Sequence, residues 1–225
     1  GVPTPTRGLT PADLAPFGIQ FTHSGPLPPF TLLFGNSDDF ANPYAQQAGL
    51  GLEREIARDL SVSIGYTYVR TLRISRGRDV NMKQAPVDPQ LGIRVWSNPV
   101  RDFVNPLIAQ NNVSESTANA FYSGLIVELK KRFSRSFSLY GNYTFSRATD
   151  DVVDYSIDFH PADQSNLKGE HALSSYDQRH KLVLYGMWAA PAGFQFSPIF
   201  RANSGRPFNL LAGFDLNQDR HDTTD

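Results

Sequence analysis

Apolar and polar side chains alternate along residues 60–72, which read LSVSIGYTYVRTL. One parity carries Leu60, Val62 and Ile64 and continues with two tyrosines, while the other carries Ser, Gly and Thr. Successive side chains of a β-strand point to opposite faces of its sheet. The segment therefore predicts a strand with one apolar face and one face of small polar groups.

The same period of two recurs in five further segments, which pair around short turns. Pro198 has no amide donor and predicts a bulge or break in the last of these segments. Together the segments predict an all-β, antiparallel sheet of about six strands in three hairpins. The hairpins are residues 45–56 with 60–72, 120–133 with 136–146, and 179–190 with 194–203.

The connections between the hairpins are long and polar, covering about 73–118, 147–178 and a stretch that begins at 204. A compact soluble domain seldom carries structureless loops beyond about 12–15 residues. Short turns that alternate with long loops are typical of an outer-membrane barrel, whose periplasmic turns are short and whose extracellular loops are long. Aromatic residues flank both ends of the predicted strands, as in the two interfacial girdles of such barrels. We therefore expect a transmembrane β-barrel segment.

On this interpretation the two faces of the strands meet different surroundings. The apolar face meets lipid, and the other face lines a wet lumen. The predicted lipid-facing residues are Leu50, Leu52, Val62, Ile64, Tyr66, Leu125, Val127, Leu129, Leu139 and Tyr143. The predicted lumen-facing residues are Ser61, Ser63, Thr67, Glu128, Lys130, Ser138 and Asn142.

The pattern divides the chain into three regions. Residues 1–44 are rich in Pro and Gly and predict a loop region, within which FTLLF at 30–34 has the composition of a short strand. Residues 45–210 predict the partial barrel. Residues 211–225 predict a polar extracellular loop that is truncated by the end of the chain.

Composition and charge exclude some classes of function but do not identify one. The formal net charge of -1 gives no electrostatic case for a nucleic-acid partner. The chain has no cysteine, which excludes disulfides and thiolate metal sites. A mean hydropathy of -0.35 is compatible with a membrane barrel, because strands that are apolar only at alternate positions leave no hydropathy peak.

Candidate chemistry is sparse. Asp215, Asn217 and Asp219 have the D-x-N-x-D spacing of a calcium loop, and hard oxygen ligands suit Ca²⁺. An EF-hand requires Gly at the next position, where this chain has Arg220, so a solvated acidic loop is favoured and a calcium site is the alternative. The acidic and histidine residues of 147–180 show neither helical zinc-protease spacing nor a nucleophile elbow. We expect no enzyme activity and, apart from calcium, no cofactor.

Four segments resemble the barrel of TonB-dependent outer-membrane receptors, and most closely the Oar-like subgroup. The resemblance implies a bacterial outer-membrane location, a barrel of about 22 strands, and active uptake of a solute. It also implies partners reached through the parent protein, namely a plug domain and the TonB complex; the extracellular substrate is unknown. A passive porin-like or adhesive barrel, and a soluble β-sandwich, are the alternatives. The segments are residues 42–81, 118–151, 174–188 and 204–220, which include SRGRDVN, LKKRFSRSFSLYGNYTFSRATDD and YDQRHKL.

Overall fold

A computed structural model describes residues 32–105, 107–152 and 160–219. The described residues form one sheet of nine strands. The helical elements of the described residues are one short α-helix, α1 (Pro99–Asp102), and two single-turn 3₁₀ segments, Leu167–Glu170 and Pro191–Gly193. The strands are β1 (Leu32–Asn36), β2 (Tyr44–Ala57), β3 (Leu60–Asp79), β4 (Gln110–Ser134), β5 (Phe137–Asp150), β6 (Ala172–Leu173), β7 (His180–Ala189), β8 (Gln195–Phe196) and β9 (Ile199–Asn203).

The sheet follows the order β2-β3-β4-β5-β7-β8, and all neighbours on this path are antiparallel. Strand β9 continues along β7 after the break that Pro198 imposes, where the amide of Gly186 donates to the Pro198 carbonyl at 3.3 Å. Because β8 and β9 share one partner, the six-strand, three-hairpin prediction is confirmed. The other two strands add short pairings: β1 runs parallel to β4, and β6 pairs with the end of β5.

Short turns join the strands of each hairpin, as predicted. Arg135 and Ser136, between β4 and β5, both have positive φ, at 51° and 71°. Two successive residues with positive φ make the type I′ turn, whose twist matches that of the flanking strands. Asp59 (φ 66°) and Ala192 (φ 62°) supply the corresponding bends in the other two hairpins.

Strands β3 and β4 are longer than the sequence predicts. The predicted loop 73–118 is wrong, because β3 continues to Asp79 and β4 begins at Gln110. The register shifts between Thr71 and Ile74 and again before Arg76, which breaks the alternation from which the strand end was inferred. Charged pairs replace the apolar pattern there, including Arg78 with Glu115 at 2.5 Å.

Two parts of the molecule differ in packing. We call strands β2–β5 and β7–β9 the wall; it is a single layer, and throughout the described residues its edge strands β2 and β8–β9 do not pair with each other. The long connections all leave the same end of the wall, and the short turns lie at the opposite end. Most fully buried side chains lie at the loop end. No helix in the described part of the chain is long and apolar enough to cross a membrane.

Candidate functional site

The register of the wall sorts its side chains into two faces. Leu52 pairs with Ile64, Ile64 with Val127, and Val127 with Tyr143, so these residues share one face, which we call the apolar face. The residues immediately before and after each of them lie on the opposite face, which we call the polar face. There Glu53 pairs with Ser63, Ser63 with Glu128, and Glu128 with Asn142.

The predicted face assignments follow this division. All ten residues predicted to face lipid lie on the apolar face, and all seven predicted to face the lumen lie on the polar face. Large side chains on the apolar face are exposed, with Leu50 at 82% and Ile64 at 50%. A protein core would bury such groups. Which surroundings each face meets stays a prediction.

Aromatic side chains form two bands on the apolar face. Near the short turns, Phe137 pairs with Trp188, which stacks on Phe196 at 5.7 Å between ring centroids. Toward the loop end, His180 lies 5.2 Å from Phe145 and its Nδ1 is 2.7 Å from the Tyr143 hydroxyl. Leucine, valine and isoleucine predominate in the rows between these bands, which also contain Gly141, Gly186, Arg54 and Lys131.

A carboxylate network occupies the middle of the polar face. The Tyr140 hydroxyl donates to Glu128 Oε1 at 2.6 Å, and Asn142 Nδ2 donates to the same oxygen at 3.0 Å. Ser63 donates to the other carboxylate oxygen at 3.1 Å. These contacts join three adjacent strands and provide hydrogen-bond donors to both oxygens of the Glu128 carboxylate. An ionised carboxylate without such partners would be costly to place in apolar surroundings. The polar face is thus built for contact with water or polar protein groups.

Charges also line the polar face beside the short turns. Arg132 contacts Glu55 at 3.0 Å, and its amide donates to the Asp59 carbonyl at 2.8 Å. Glu53 and Lys130 line the same groove, which has a volume of about 400 Å³. The groove is therefore an open polar surface at the turn end of the wall.

At the opposite end, three connections pack into one unit, which we call the outer cap: the described parts of residues 80–109, 160–179 and 204–219. Trp96 and Phe103, both at most 2% exposed, form its apolar core with Ala85 and Met82. The Trp96 amide donates to the Asn217 carbonyl at 2.8 Å, and its indole Nε1 donates to the Lys83 carbonyl at 2.8 Å. Residues far apart in the chain thus share one core.

Polar contacts bind the connections of the outer cap to one another and to the wall. Arg94 Nε lies 3.2 Å from Asp163 Oδ2, which joins the first connection to the second. Asn217 Nδ2 donates to the Ala162 carbonyl at 2.9 Å, which joins the second to the third. Asp79, at the end of β3, accepts from the Asn81 amide at 2.8 Å and anchors the first connection.

Two carboxyl groups of the outer cap have shifted pKa values. Hydrogen bonding to the Arg101 guanidinium lowers the pKa of the Asp102 carboxyl, and the Asn98 amide, which donates at 2.9 Å, adds to this effect. Burial raises the pKa of Glu170, against the effect of the Ala162 amide that donates to its Oε1 at 3.0 Å. Asp102 therefore stays ionised to lower pH than a free aspartate does, and Glu170 takes up a proton at higher pH than a free glutamate does.

The candidate calcium residues lie in the third connection of the outer cap. The Asp219 amide donates to Asp215 Oδ1 at 3.0 Å and to Asn217 Oδ1 at 2.8 Å. The loop thus directs two of its candidate ligand oxygens onto its own backbone. Among the described residues, no group of three or more His, Cys, Asp or Glu side chains is arranged to hold a metal ion. Calcium binding here stays a prediction.

The described acidic and histidine residues of 147–180 are dispersed, while Asp154 and Asp158 lie outside the described residues. His160 contacts Asn112 Oδ1 at 2.9 Å, Asp177 accepts from the Ala148 amide at 2.6 Å, and Asp163 pairs with Arg94. Sequence reasoning missed the core of the outer cap. Its available signal was the apolar content of the first connection, in which Met82, Trp96 and Phe103 occur among polar residues.

Comparisons with known proteins agree with this geometry. Residues 2–224 match the family described as the outer membrane beta barrel domain. The structure is similar to that of the outer membrane transporter YddB from Escherichia coli, with a TM-score of 0.50 and 10% sequence identity over 81% of this chain.

The match covers 23% of the YddB chain, so the present chain spans about a quarter of that structure. No curated protein matches the chain in sequence. A strand-built wall with one apolar face and one polar face is the architecture of such a barrel. The chain therefore belongs to the outer membrane beta barrel domain family and is a component of the outer membrane.

Proposed function

We propose that this chain is part of the barrel wall of a TonB-dependent receptor of the Oar-like subgroup, which takes up a solute actively across the outer membrane. The observation that carries the proposal is the division of the wall into an exposed apolar face and a hydrogen-bonded polar face. The fold likeness to a transporter, YddB, supports it. The sequence resemblance of residues 42–81 and 118–151 supports the finer assignment.

In this proposal the apolar face contacts lipid, and the polar face borders the lumen. The short turns near Arg58, Arg135 and Ala192 are periplasmic, and the outer cap is extracellular. An ordered, hydrogen-bonded cap offers an external surface for a solute, while the Glu128 network offers a polar wall for a plug domain. The chain itself performs no covalent chemistry.

The proposal is tested on the full-length parent protein, reconstituted in planar lipid bilayers. A receptor whose lumen is filled by a plug conducts no steady ionic current, whereas a passive porin-like barrel conducts continuously. We expect a closed barrel whose conductance appears only when denaturant loosens the plug. Steady conductance in buffer alone would contradict the proposal and favour the passive barrel.

A second measurement separates a receptor from an adhesive barrel, which would also be closed. Isothermal titration of the parent protein with the purified periplasmic domain of TonB is expected to show one-to-one binding. The control is the same titration after deletion of the parent's N-terminal TonB-binding segment, where the heat should vanish. A closed barrel with no TonB binding would favour adhesion.

A further inference from the structure

A small depression lies on the polar face where the wall meets the outer cap. It has a volume of about 110 Å³ and is lined by residues of β3, β4 and β5 together with Ser174. Ser174 belongs to the second connection of the outer cap, and its amide donates to the Ala148 carbonyl of β5 at 3.0 Å. The depression therefore lies at the boundary between the outer cap and the polar face.

A small side chain makes the floor of the depression. Ala120 pairs with Thr71 of β3 and with Asp150 of β5, so these three residues lie side by side on the polar face. The neighbouring Tyr122 leans toward the short turns, since its hydroxyl oxygen lies 2.6 Å from the position that a Cβ at Gly124 would take. Thr71 and Asp150 consequently face each other across Ala120, two strand spacings of ~4.8 Å apart.

Asp150 brings to this depression a carboxylate that no cation of the described residues neutralises. The ion pairs of the described residues use other carboxylates. Its sequence neighbour Asp151 pairs with Arg76, at 3.6 Å. Asp150 is half-buried, and a partly desolvated carboxylate is stabilised by a cation that supplies hydrogen-bond donors. The depression therefore favours a cationic ligand.

The other side chains of the depression suit an organic ammonium group. The ring of Tyr122 and the hydroxyl groups of Thr71 and Ser174 line it together with Asp150. Aromatic rings attract cations, and hydroxyl oxygens accept from N–H donors. The three donors of an ammonium group point in different directions and can meet oxygens on separate strands, whereas the donors of a guanidinium group lie in one plane.

The size of the depression limits what enters it. A volume of about 110 Å³ holds three or four groups the size of a water molecule, at ~30 Å³ each. Pockets for whole small-molecule ligands are larger, at roughly 300–1,000 Å³. The depression therefore accepts the end of a ligand rather than all of it.

We propose that this depression binds a terminal primary ammonium group of the solute that the parent protein takes up. Asp150 is the counter-ion, Thr71 and Ser174 accept hydrogen bonds, and the Tyr122 ring faces the cation or the adjoining methylene groups. The solute is thus an amine, for instance a molecule that ends in a lysine-like side chain. This assignment rests on the proposed uptake function, in which a solute passes from the outer cap to the polar face.

The test uses the full-length parent protein in detergent and the primary amine trifluorobutylammonium as the probe, with binding followed by fluorine NMR relaxation of the probe. Asp150→Asn keeps the size of the side chain but removes its charge, and should weaken binding roughly 10-fold or more, because hydrogen bonds to charged groups are the strong ones. The matched control is Glu53→Gln, which removes a polar-face carboxylate at the turn end and should leave binding within about twofold. Heat-modifiable gel migration verifies that both variants are folded.

Three further measurements do not depend on the assembly of Asp150→Asn. With wild-type protein, trifluorobutanol lacks the charge and the N-trimethylated probe lacks N–H donors, so each should bind several-fold more weakly than the amine. Ala120→Leu fills the floor of the depression while keeping every charge, and should abolish binding.

Unchanged affinity in Asp150→Asn or Ala120→Leu, an equal loss in Glu53→Gln, or equal affinity for the amine and either analogue would overturn the proposal. Absence of saturable binding to the wild-type protein would also overturn it, including the case in which a side chain of the plug fills the depression. The probe requires no TonB. A parent protein that binds the amine but not TonB would therefore contradict the proposed uptake while leaving the ammonium site established.

Discussion

The wall and the outer cap bury different kinds of groups, although strands β3 and β4 of the wall lead directly into and out of the cap's first connection. In the wall, large apolar residues such as Leu50 and Leu52 are exposed at 82% and 75%, and polar side chains hydrogen-bond on the opposite face. In the outer cap, Trp96 and Phe103 are buried, with exposed fractions of 2% and 1%. The cap therefore follows the ordinary rule of a protein in water, and the wall departs from it on one face, as expected of a face that would meet lipid.

The difference extends to how each region is specified. The wall is held by ladders of backbone hydrogen bonds between strands that are close in sequence, and outside the register shifts its positions repeat the same two-residue alternation. The outer cap is held by single contacts between distant residues, such as Arg94 with Asp163. Substitutions in the two regions should consequently fail in different assays.

The largest effect is expected from Trp96→Ala. Removing a buried Trp costs about 3–5 kcal/mol, because the lost contacts leave a cavity. The variant should assemble in the membrane but lose protection of the outer cap, measured by proteolysis of intact cells between residues 80 and 109. Val104→Ala, at a residue 61% exposed in the same connection, is the control and should be neutral. Failure of Trp96→Ala to assemble would mean that the cap and the wall are not separable.

The next effect is expected in the wall. Ile64→Arg places a cation on the lipid side near the middle of the strand, which costs roughly 2–4 kcal/mol. We expect little heat-modifiable protein in the outer-membrane fraction. Leu139→Arg should behave in the same way.

The controls for this prediction are Ser63→Arg and Asn142→Arg on the polar face, where the new cation would lie beside the Glu128 carboxylate. Both should assemble at near wild-type levels. If the two sets were equally damaging, the wall would be a two-sided protein core and the lipid assignment would fail.

Strands β5 and β7 approach closely at Gly186, so we expect a substitution there to lower stability by a smaller amount. A Cβ at this position would lie 2.4 Å from the Ser138 carbonyl oxygen, so β5 and β7 would have to separate. Overpacking of this kind costs about 1–3 kcal/mol. Gly186→Ala should lower the urea midpoint of the assembled barrel. Gly51→Ala, whose Cβ would meet the Ile64 carbonyl oxygen at an ordinary 4.0 Å, should not, and equal midpoints for the two variants would count against the β5–β7 pairing.

The smallest effect concerns pH. Burial raises the pKa of Glu170, so the folded cap holds a proton that the unfolded segment has released. Cap stability should therefore fall as pH rises from about 4.3 through that raised value, and the fall should be small because the group is partly exposed. Glu170→Gln keeps the acceptor for the Ala162 amide and should flatten this slope in native-state hydrogen exchange. If Glu170→Gln left the slope unchanged, the pH dependence of cap stability would arise from another group.

The wall could be predicted from sequence because its information is local. The alternation in 60–72 specifies both the strand and its faces, and Pro198 specifies the break between β8 and β9. The end of β3 could not be predicted in this way, because the register shifts around Arg73 scramble the parity on which the inference depends.

The outer cap could not be predicted from sequence for a different reason. Its core joins Trp96 to Asn217, and no periodic signal marks two loops that meet across more than a hundred residues. From sequence alone, polar residues in such loops are expected to be solvated. In the structure Asn81, Asp102 and Asn217 are only 3%, 1% and 2% exposed, because each forms hydrogen bonds within the protein. Only tertiary structure provides those partners.

The central claim is that successive residues of β3 face lipid and water in turn. The chain contains no cysteine, so a single spin label can be placed at each position of 61–67 in the parent protein without further changes to this chain. In reconstituted bilayers, collision with oxygen, which concentrates in lipid, is compared with collision with a water-soluble nickel complex. We predict oxygen maxima at Val62, Ile64 and Tyr66 and nickel maxima at Ser61, Ser63 and Thr67. A flat profile, or maxima of the opposite phase, would contradict the account.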